Sequence, residues 1–231
     1  MTKIWPILPA AGVGSRMQAD RPKQYLLLRN RYLIDHTLDA ILTYPKFPQA
    51  VLVLSKEDDY WPSSAYASSA AIIRAEGGRE RCHSVLNGLT ALAGLAQADD
   101  WVLVHDVARP CLRHSDIDKL LQGVGAASGA ILASPVRDTM KRGHWHNGTW
   151  QIKHTVEREQ LWHALTPQVF RYQALLQALE QSLQQGIVIT DEASAMEAQG
   201  HAVNLVEGRA DNIKVTRPED LALAELFLNL E

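Results

Sequence analysis

The chain has 231 residues and a formal net charge of −3, which suits one α/β domain with its own core and excludes a strongly basic nucleic-acid-binding protein. No run approaches the about 18 apolar residues of a membrane span, and residues 4–8 are too short for the core of a signal peptide. Cys82 and Cys111 lie far apart without a C-x-x-C spacing. We therefore expect unpaired thiols in a cytoplasmic protein, with no nucleic-acid or membrane partner.

The first feature along the chain is the apolar run of residues 4–8, which leads into a loop with glycines. The loop reads Pro-Ala-Ala-Gly-Val-Gly-Ser-Arg-Met over residues 9–17, and Pro-Lys-Gln follows at residues 22–24. Glycines let backbone N–H groups approach phosphate oxygens closely, and Arg16 and Lys23 add positive charge. This pattern predicts a site for a nucleotide and chemistry on its phosphates.

Three kinds of loop compete for this segment. A P-loop needs G-x-x-x-x-G-K-[ST], which the sequence lacks. Gly12 and Gly14 fit the first two glycines of the dinucleotide fingerprint, but the third position holds Met17, which is too bulky for close packing of helix on strand. A plain tight turn between strand and helix is the remaining alternative.

Further apolar runs predict strands that are covered on both faces. They occupy residues 50–54, 71–75, 101–104 and 129–135. Helical spacing follows in residues 33–43, after Ser84, and after a predicted N-cap at Ser115. Strands that alternate with helices predict a doubly wound, mainly parallel α/β sheet within a single domain over residues 1–231. Residues 62–71 are predicted to be a surface linker.

Candidate site residues follow two of these strands. Gly77 and Gly78 allow close approach to a base or ribose, and Ser84 can cap a helix and contact a phosphate. Asp106 follows the strand at 101–104 and has the chemistry of a Mg²⁺ ligand. The alternative for Asp106 is an ion pair with Arg109 that only fixes the turn. Ligands bind beyond the carboxyl ends of parallel strands, so these residues are expected to meet the opening loop.

A polar segment of about residues 137–158 interrupts the alternation of strands and helices. Asn147-Gly148 is a strong signal for a two-residue hairpin turn, and Trp145 and Trp150 flank it. A hairpin with exposed tryptophans is marginal in water, so we expect this β-arm to pack on a second copy of the chain in a homodimer. The alternative is that it folds back on its own domain.

The last third is expected to be mainly helical, with helix starts at residues 190–192 and in a capping box at residues 216–219. Lys214 lies in a strand-like run, residues 212–216, where a buried ammonium group needs an anion. Asp211 is a further carboxylate that could bind a metal.

These stretches together resemble one family, the 2-C-methyl-D-erythritol 4-phosphate cytidylyltransferases. The stretches that carry the resemblance are residues 9–17, 22–25, 77–85, 104–110, 135–139, 165–168, 190–192 and 211–216. They are ordered along nearly the whole chain. The resemblance implies a Rossmann-like nucleotidyltransferase that uses CTP, a polyol phosphate and Mg²⁺, and a homodimer that interlocks through the β-arm.

The resemblance also implies a role for individual residues. The catalytic set is Arg16, Lys23, Arg158 and Lys214, with Arg158 supplied by the partner's arm. The CTP-binding set is Pro9, Ala10, Ala11, Gly12, Gly14, Gly78 and Ser84. The acceptor-binding set is Asp106, Arg109, Thr139, Thr166 and Thr190, and Asp106 is also the metal ligand. Arg79 stands where some members carry an acid, so its side chain is left out of the predicted site.

Three alternatives to this activity stay open from the sequence. The chain could transfer a cytidylyl group to another polyol phosphate, such as ribitol 5-phosphate. It could be a hydride-transferring Rossmann enzyme, although the missing third glycine argues against that class. It could also be a regulator that binds CTP without catalysis.

Overall fold

The computed structural model describes residues 2–12 and 20–230. Its strands are β1 (Ile4–Pro9), β2 (Leu27–Leu28), β3 (Arg31–Tyr32), β4 (Ala50–Leu54), β5 (Ile72–Glu76), β6 (Trp101–Val104), β7 (Gly129–Pro135), β8 (Met140–His146), β9 (Thr149–Val156), β10 (Trp162–Arg171) and β11 (Val203–Glu207). Its α-helices are α1 (Leu33–Leu42), α2 (Arg81–Thr90), α3 (His114–Gly123), α4 (Tyr172–Gln184), α5 (Glu192–Ala198) and α6 (Pro218–Leu228).

The main sheet of the described residues has seven strands in the order β11-β7-β10-β6-β1-β4-β5. Its neighbours are parallel except for β10, which runs antiparallel to both β6 and β7. The mainly parallel α/β sheet predicted from the sequence is confirmed. The predicted bounds match the structure for β4, β6 and β7, and β1 and β5 differ by a single residue at their ends.

Helices cover both faces of the sheet because central strands such as β1 and β4 are apolar and buried on both of their faces. In β1, Leu8 packs in the cluster that contains Ile34 of α1, whereas Ile7 packs in the cluster that contains Val85 of α2 and Leu175 of α4. This arrangement buries the middle of the sheet and leaves the strand ends as the accessible edge.

The strand β10 was not predicted from the sequence. It contains Pro167, which cannot donate to a ladder, and its register against β7 shifts between Ala164 and Gln168. The Thr166–Pro167 peptide bond is cis. Because this strand mixes polar and apolar residues, it was not recognised in a part of the sequence that was predicted to be mainly helical. The strand β11 was also not predicted.

Several predicted helix starts are wrong by a few residues. Helix α2 begins at Arg81, so Ser84 lies inside the helix and does not cap it. Helix α3 begins at His114, and the Asp116 carboxylate rather than Ser115 caps it by accepting from the Arg113 N–H at 3.1 Å. Helix α6 is capped by Asp220, which accepts from the Thr216 N–H at 2.8 Å.

Two predicted segments have a different character in the structure. Residues 212–216 were expected to resemble a strand, but they form no strand, and Val215 is fixed by its N–H donating to the Ala108 carbonyl at 2.8 Å. Most of residues 62–71, predicted to be a surface linker, are exposed or half-buried, but the segment is anchored to the domain. Ser64 is buried and donates to Asp35 at 2.5 Å.

Residues 140–156 form a separate two-stranded hairpin of β8 and β9. Asn147 and Gly148 make the turn with φ values of 46° and 78°, as a type I′ turn requires. Trp145 and Trp150 are paired across the strands with ring centroids 5.4 Å apart, and they are 61% and 69% exposed. The role of this hairpin in a homodimer stays a prediction. Among the described helices, none has the length and apolar character needed to cross a membrane.

Candidate active site

A cavity of about 370 Å³ opens at the carboxyl ends of β1, β5 and β6. It is lined by Pro9, Ala10, Ala11, Gly12, Lys23, Gln24, Gly78, Arg79, Glu80, Arg81, Ser84, Asp106, Val107, Ala108 and Lys214. The lining residues come from five separate segments, and they include most of the residues that the sequence predicted for CTP. Arg79, which the sequence analysis left out, also lines the cavity.

The end of β1 is held in place by two hydrogen bonds to Ala10. The Ala10 N–H donates to the Val53 carbonyl at 2.8 Å, and the buried Gln24 amide donates to the Ala10 carbonyl at 2.7 Å. Gln24 therefore ties the opening loop to the segment that carries Lys23. The predicted residues Gly14 and Arg16 lie outside the described part of the chain.

The glycine pair after β5 is required by close packing against two other segments. A Cβ on Gly77 would overlap the Cβ of Ala11, and a Cβ on Gly78 would overlap that of His83. The Ser84 hydroxyl accepts a hydrogen bond from the Gly78 N–H at 3.0 Å. Ser84 therefore fixes the glycine turn at the wall of the cavity. The sequence predicted Ser84 as a helix cap and did not predict this role.

A chain of ion pairs crosses the floor of the cavity. Asp106 lies 2.9 Å from Arg81 Nε and 2.6 Å from Lys214 Nζ. Burial alone would raise the pKa of Asp106, but Arg81 and Lys214 outweigh it and hold the pKa well below its usual range. Asp106 is therefore the anion that was predicted to pair with Lys214. Its carboxylate stays ionised at neutral pH. The alternative pair of Asp106 with Arg109 is not the one observed.

Lys23 lines the same cavity. It begins a short 3-10 turn, Lys23–Tyr25, and its Nζ donates to the Val215 carbonyl at 3.4 Å. Because Val215 directly follows Lys214 in the chain, this contact places the two ammonium groups on one concave surface. Such a surface attracts a polyanion.

Arg109, Thr166 and His105 lie behind the cavity wall rather than on it. The buried Arg109 donates from Nη1 to the Asn212 carbonyl at 2.7 Å, and the Thr166 hydroxyl accepts from the Asp106 N–H at 3.0 Å. These contacts hold the segments that carry Asp106 and Lys214.

His105 is fully buried next to them, and burial lowers its pKa to about 4. Its Nε2 lies 3.1 Å from the Arg109 carbonyl, an acceptor, so Nε2 carries the proton of the neutral ring. We therefore assign His105 a structural role rather than proton transfer.

Three predicted residues lie away from this cavity within the described chain. Arg158 lines a separate cavity of about 640 Å³ at the base of the hairpin and donates to the Arg137 carbonyl. Thr139 is exposed just before β8, and Thr190 is exposed just before α5. The structure of one chain does not bring Arg158 to Lys23, so its predicted role requires a partner chain.

Sequence reasoning missed two charged residues of the site. Arg81 is part of a stretch that carried the family resemblance, yet it received no role. Glu192 is completely buried and contacts Arg81 through both carboxylate oxygens, at 2.6 and 3.1 Å. Charged residues are seldom fully buried, so the position of Glu192 in the first turn of a helix did not predict its burial.

Asp106 does not fit the predicted role of magnesium ligand. Each of its carboxylate oxygens already faces a positive nitrogen, Arg81 Nε on one side and Lys214 Nζ on the other. The further carboxylate considered, Asp211, pairs with Arg113 at 3.3 Å. The surroundings of both carboxylates favour pairing with protein cations over metal binding.

The fold and the cavity are those of an α/β nucleotidyltransferase. The chain belongs to the 2-C-methyl-D-erythritol 4-phosphate cytidylyltransferase family, whose model matches residues 4–230.

Curated relatives with this family name are similar over almost their whole length. A protein from Aeromonas hydrophila is 55% identical over 232 residues, covering 99% of this chain and 92% of the relative. One from Vibrio atlanticus is 54% identical over 230 residues, covering 99% of this chain and 97% of the relative.

Solved structures agree with this assignment. The Francisella tularensis 2-C-methyl-D-erythritol 4-phosphate cytidylyltransferase matches with a TM-score of 0.84 and 32% identity, covering 98% of this chain and 100% of that one. A structure described as a 4-diphosphocytidyl-2C-methyl-D-erythritol synthase matches with a TM-score of 0.84 and 36% identity, covering 99% of each chain.

Proposed function

We propose that this chain transfers the cytidylyl group of CTP to 2-C-methyl-D-erythritol 4-phosphate, a step that supplies isoprenoid precursors. The products are 4-diphosphocytidyl-2-C-methyl-D-erythritol and pyrophosphate. The observation that carries the proposal is the meeting of Lys23, Lys214 and the glycine turn at Gly78 in one cavity of a chain of this family.

The chemistry needs no nucleophile from the protein. An oxygen of the acceptor phosphate attacks the α-phosphorus of CTP, and the bond from that phosphorus to the bridging oxygen of pyrophosphate breaks. A phosphate monoester has a second pKa of about 6, so the acceptor is mostly dianionic at neutral pH. The cavity accordingly offers cations such as Lys23 and Lys214, and the neutral His105 is held behind its wall.

The protein's task is to bring two anions together and to stabilise the charge that develops as pyrophosphate leaves. We assign this task to Lys23 and Lys214, and to Arg16 by the family pattern. Fixed cations and amides act here through positioning and electrostatics. Losing one contact of this kind typically costs on the order of 3 to 4 kcal/mol of transition-state stabilisation.

We assign the nucleotide to the wall formed by the end of β1 and the turn at Gly78. Ser84 supports this wall through its hydrogen bond to the Gly78 N–H. We assign the acceptor to the side of Asp106 and Lys214, with Thr139 and Thr190 at its outer rim. Arg109 and Thr166 serve the acceptor indirectly, because they fix the Asp106 and Lys214 segments from behind.

We further propose a homodimer in which the hairpin of one chain brings Arg158 to the acceptor phosphate of the other. The support is that Arg158 lies at the hairpin base, away from the cavity of its own chain. The exposed faces of Trp145 and Trp150 provide apolar surface for such a contact.

We also propose that the reaction requires Mg²⁺, held by triphosphate oxygens and water rather than by Asp106. Magnesium commonly keeps several waters and binds substrate phosphates. Chelation with EDTA is expected to stop pyrophosphate release, and excess Mg²⁺ to restore it. Both cysteines are buried thiols, which supports a cytoplasmic location for the enzyme.

The direct test is a pyrophosphate-release assay with CTP, Mg²⁺ and a panel of polyol phosphates. We expect 2-C-methyl-D-erythritol 4-phosphate to support turnover and ribitol 5-phosphate to support little. Preference for another polyol phosphate would reassign the acceptor, and no release with any acceptor would contradict the proposed function.

A further inference from the structure

The charged side chains at the floor of the cavity form one continuous series of contacts. Glu192 binds both terminal nitrogens of Arg81 at 2.6 and 3.1 Å. Arg81 Nε donates to Asp106 at 2.9 Å, and Lys214 donates to the other Asp106 oxygen at 2.6 Å. Of these residues, Glu192 alone does not line the cavity.

Glu192 is the best fixed member of the series. Its side chain is fully buried, and it stands on the first turn of α5. That turn is anchored to β10 by Gln168, which donates to Asp191 at 2.8 Å and accepts from the Ala193 N–H at 3.0 Å. The Glu192 carboxylate is therefore a stationary anion at the back of the site.

The bidentate contact fixes the plane of the Arg81 guanidinium. Once both terminal nitrogens face Glu192, the only direction left for Nε is toward Asp106. Asp106 then presents its other oxygen to Lys214. The charges balance along this series because two carboxylates alternate with two cations.

We propose that Glu192 is a positioning residue that acts through Arg81 to set the positions of Asp106 and Lys214 for the acceptor phosphate. This inference rests on the proposed function. Without the Glu192 charge, Arg81 is free to turn toward the bound phosphates or to bind Asp106 through other nitrogens. In either case Lys214 loses its defined partner, and binding of the acceptor suffers more than binding of CTP.

The test is the variant Glu192→Gln, which keeps the size of the side chain but replaces one acceptor oxygen by an NH₂ group that cannot accept. We expect kcat/KM for the acceptor to fall at least tenfold while KM for CTP stays within threefold of the parent. A merely structural role would reduce the amount of folded enzyme and leave both KM values unchanged.

A second variant, Arg81→Lys, keeps a cation beside the buried Glu192 but cannot reach both carboxylates. We expect the same selective loss for the acceptor. For the double variant Arg81→Lys with Glu192→Gln, we expect kcat/KM for the acceptor to lie within threefold of the less active single variant, because both substitutions act through one guanidinium.

The matched control is Asp116→Asn, which removes another buried carboxylate paired with an arginine, Arg209 at 3.2 Å, outside the cavity lining. It is expected to lower the unfolding temperature without separating the two KM values. The inference fails if Glu192→Gln changes both KM values equally, leaves kcat/KM for the acceptor within threefold, or adds its full loss to that of Arg81→Lys. A parent enzyme without cytidylyl transfer would instead contradict the proposed function itself.

Discussion

The cavity at the sheet edge and the hairpin use their polar and apolar groups in opposite ways. At the cavity, Asp106 in the lining and Glu192 behind it are buried carboxylates that pair with Arg81 of the same chain. On the hairpin, Trp145 and Trp150 are exposed, and Arg158 at its base donates to the nearby Arg137 carbonyl. Under the proposed function, we therefore expect one chain to bind the nucleotide and the Arg158 of a second copy to complete the acceptor side.

The largest expected effect is on the cavity side of this comparison. Lys23→Ala should lower kcat about a hundredfold or more, because it removes a cation that we assign to the reacting phosphates. KM for CTP should change much less, since backbone amides and other cations still hold the nucleotide. Steady-state kinetics of pyrophosphate release measure both values.

The control for this variant is Lys46→Ala, which removes an exposed lysine from a weak pair with Asp118 at 3.8 Å. It should leave kcat unchanged. A kcat for Lys23→Ala within threefold of the parent would remove Lys23 from its assigned role.

The next effect concerns the dependence on a second copy. Arg158→Ala should raise KM for the acceptor about tenfold, as expected when a charge-assisted hydrogen bond is lost. The matched control is Arg217→Ala, since the Arg217 side chain is exposed and lies 3.9 Å from the exposed Glu219, and it should leave KM unchanged.

A mixed dimer sharpens the Arg158 prediction. If one chain carries Lys23→Ala and the other carries Arg158→Ala, one of the sites combines both intact residues. About one working site per dimer should then return, measured against the two parent variants. No recovery would contradict the assignment of Arg158 to the partner's site.

The hairpin tryptophans should affect turnover more weakly and indirectly. Replacing Trp145 and Trp150 together by alanine should shift the dimer toward monomer, because it removes exposed apolar surface. Sedimentation analysis measures this shift, and activity should fall at low protein concentration. The control Val188→Ala removes an apolar side chain that is 83% exposed outside the hairpin, and it should leave the oligomeric state unchanged.

The smallest effect on turnover is expected at the amino ends of the strands, which lie opposite the cavity. Asp100 precedes β6 and accepts from the Lys3 N–H at 2.8 Å and from Trp5 Nε1 at 3.1 Å. Burial alone would raise the pKa of Asp100, but these donors and the Gln97 N–H outweigh it and lower the pKa.

This carboxylate therefore stabilises the fold above its unfolded pKa of about 3.9. The contribution is lost as the pH falls through the lower folded value. Asp100→Asn should cost about 1–3 kcal/mol at pH 7 and less at acid pH, with kcat unchanged. Urea unfolding at both pH values measures the difference, and an equal cost at both would contradict the assigned ionisation.

The sequence predicted the parts of the fold where burial is uniform. The strands β4, β6 and β7 are apolar on both faces, so their runs stand out against the helices. By contrast, β10 contains Pro167 and polar residues, and its first residues are exposed whereas its later ones are buried. Its pattern is therefore not that of a strand covered along its whole length.

The candidate site divides in the same way. Lys214 was expected to need an anion, because an ammonium group inside an apolar run cannot stay unpaired. Arg81 and Glu192 are 111 residues apart in the sequence. Their contact is created by the tertiary fold, so no local sequence pattern could predict it. The positions of Arg109 and Thr166 behind the wall depend on the same long-range packing.

The central claim is that the cavity between Lys23 and the Gly78 turn holds the triphosphate of CTP. A crystal structure of this chain with CTP and Mg²⁺ tests it most directly. The account predicts phosphate oxygens within hydrogen-bonding distance of Lys23 Nζ, with the ribose and base against the Gly78 and Ser84 wall. Nucleotide bound at another surface, with this cavity holding only water, would contradict it.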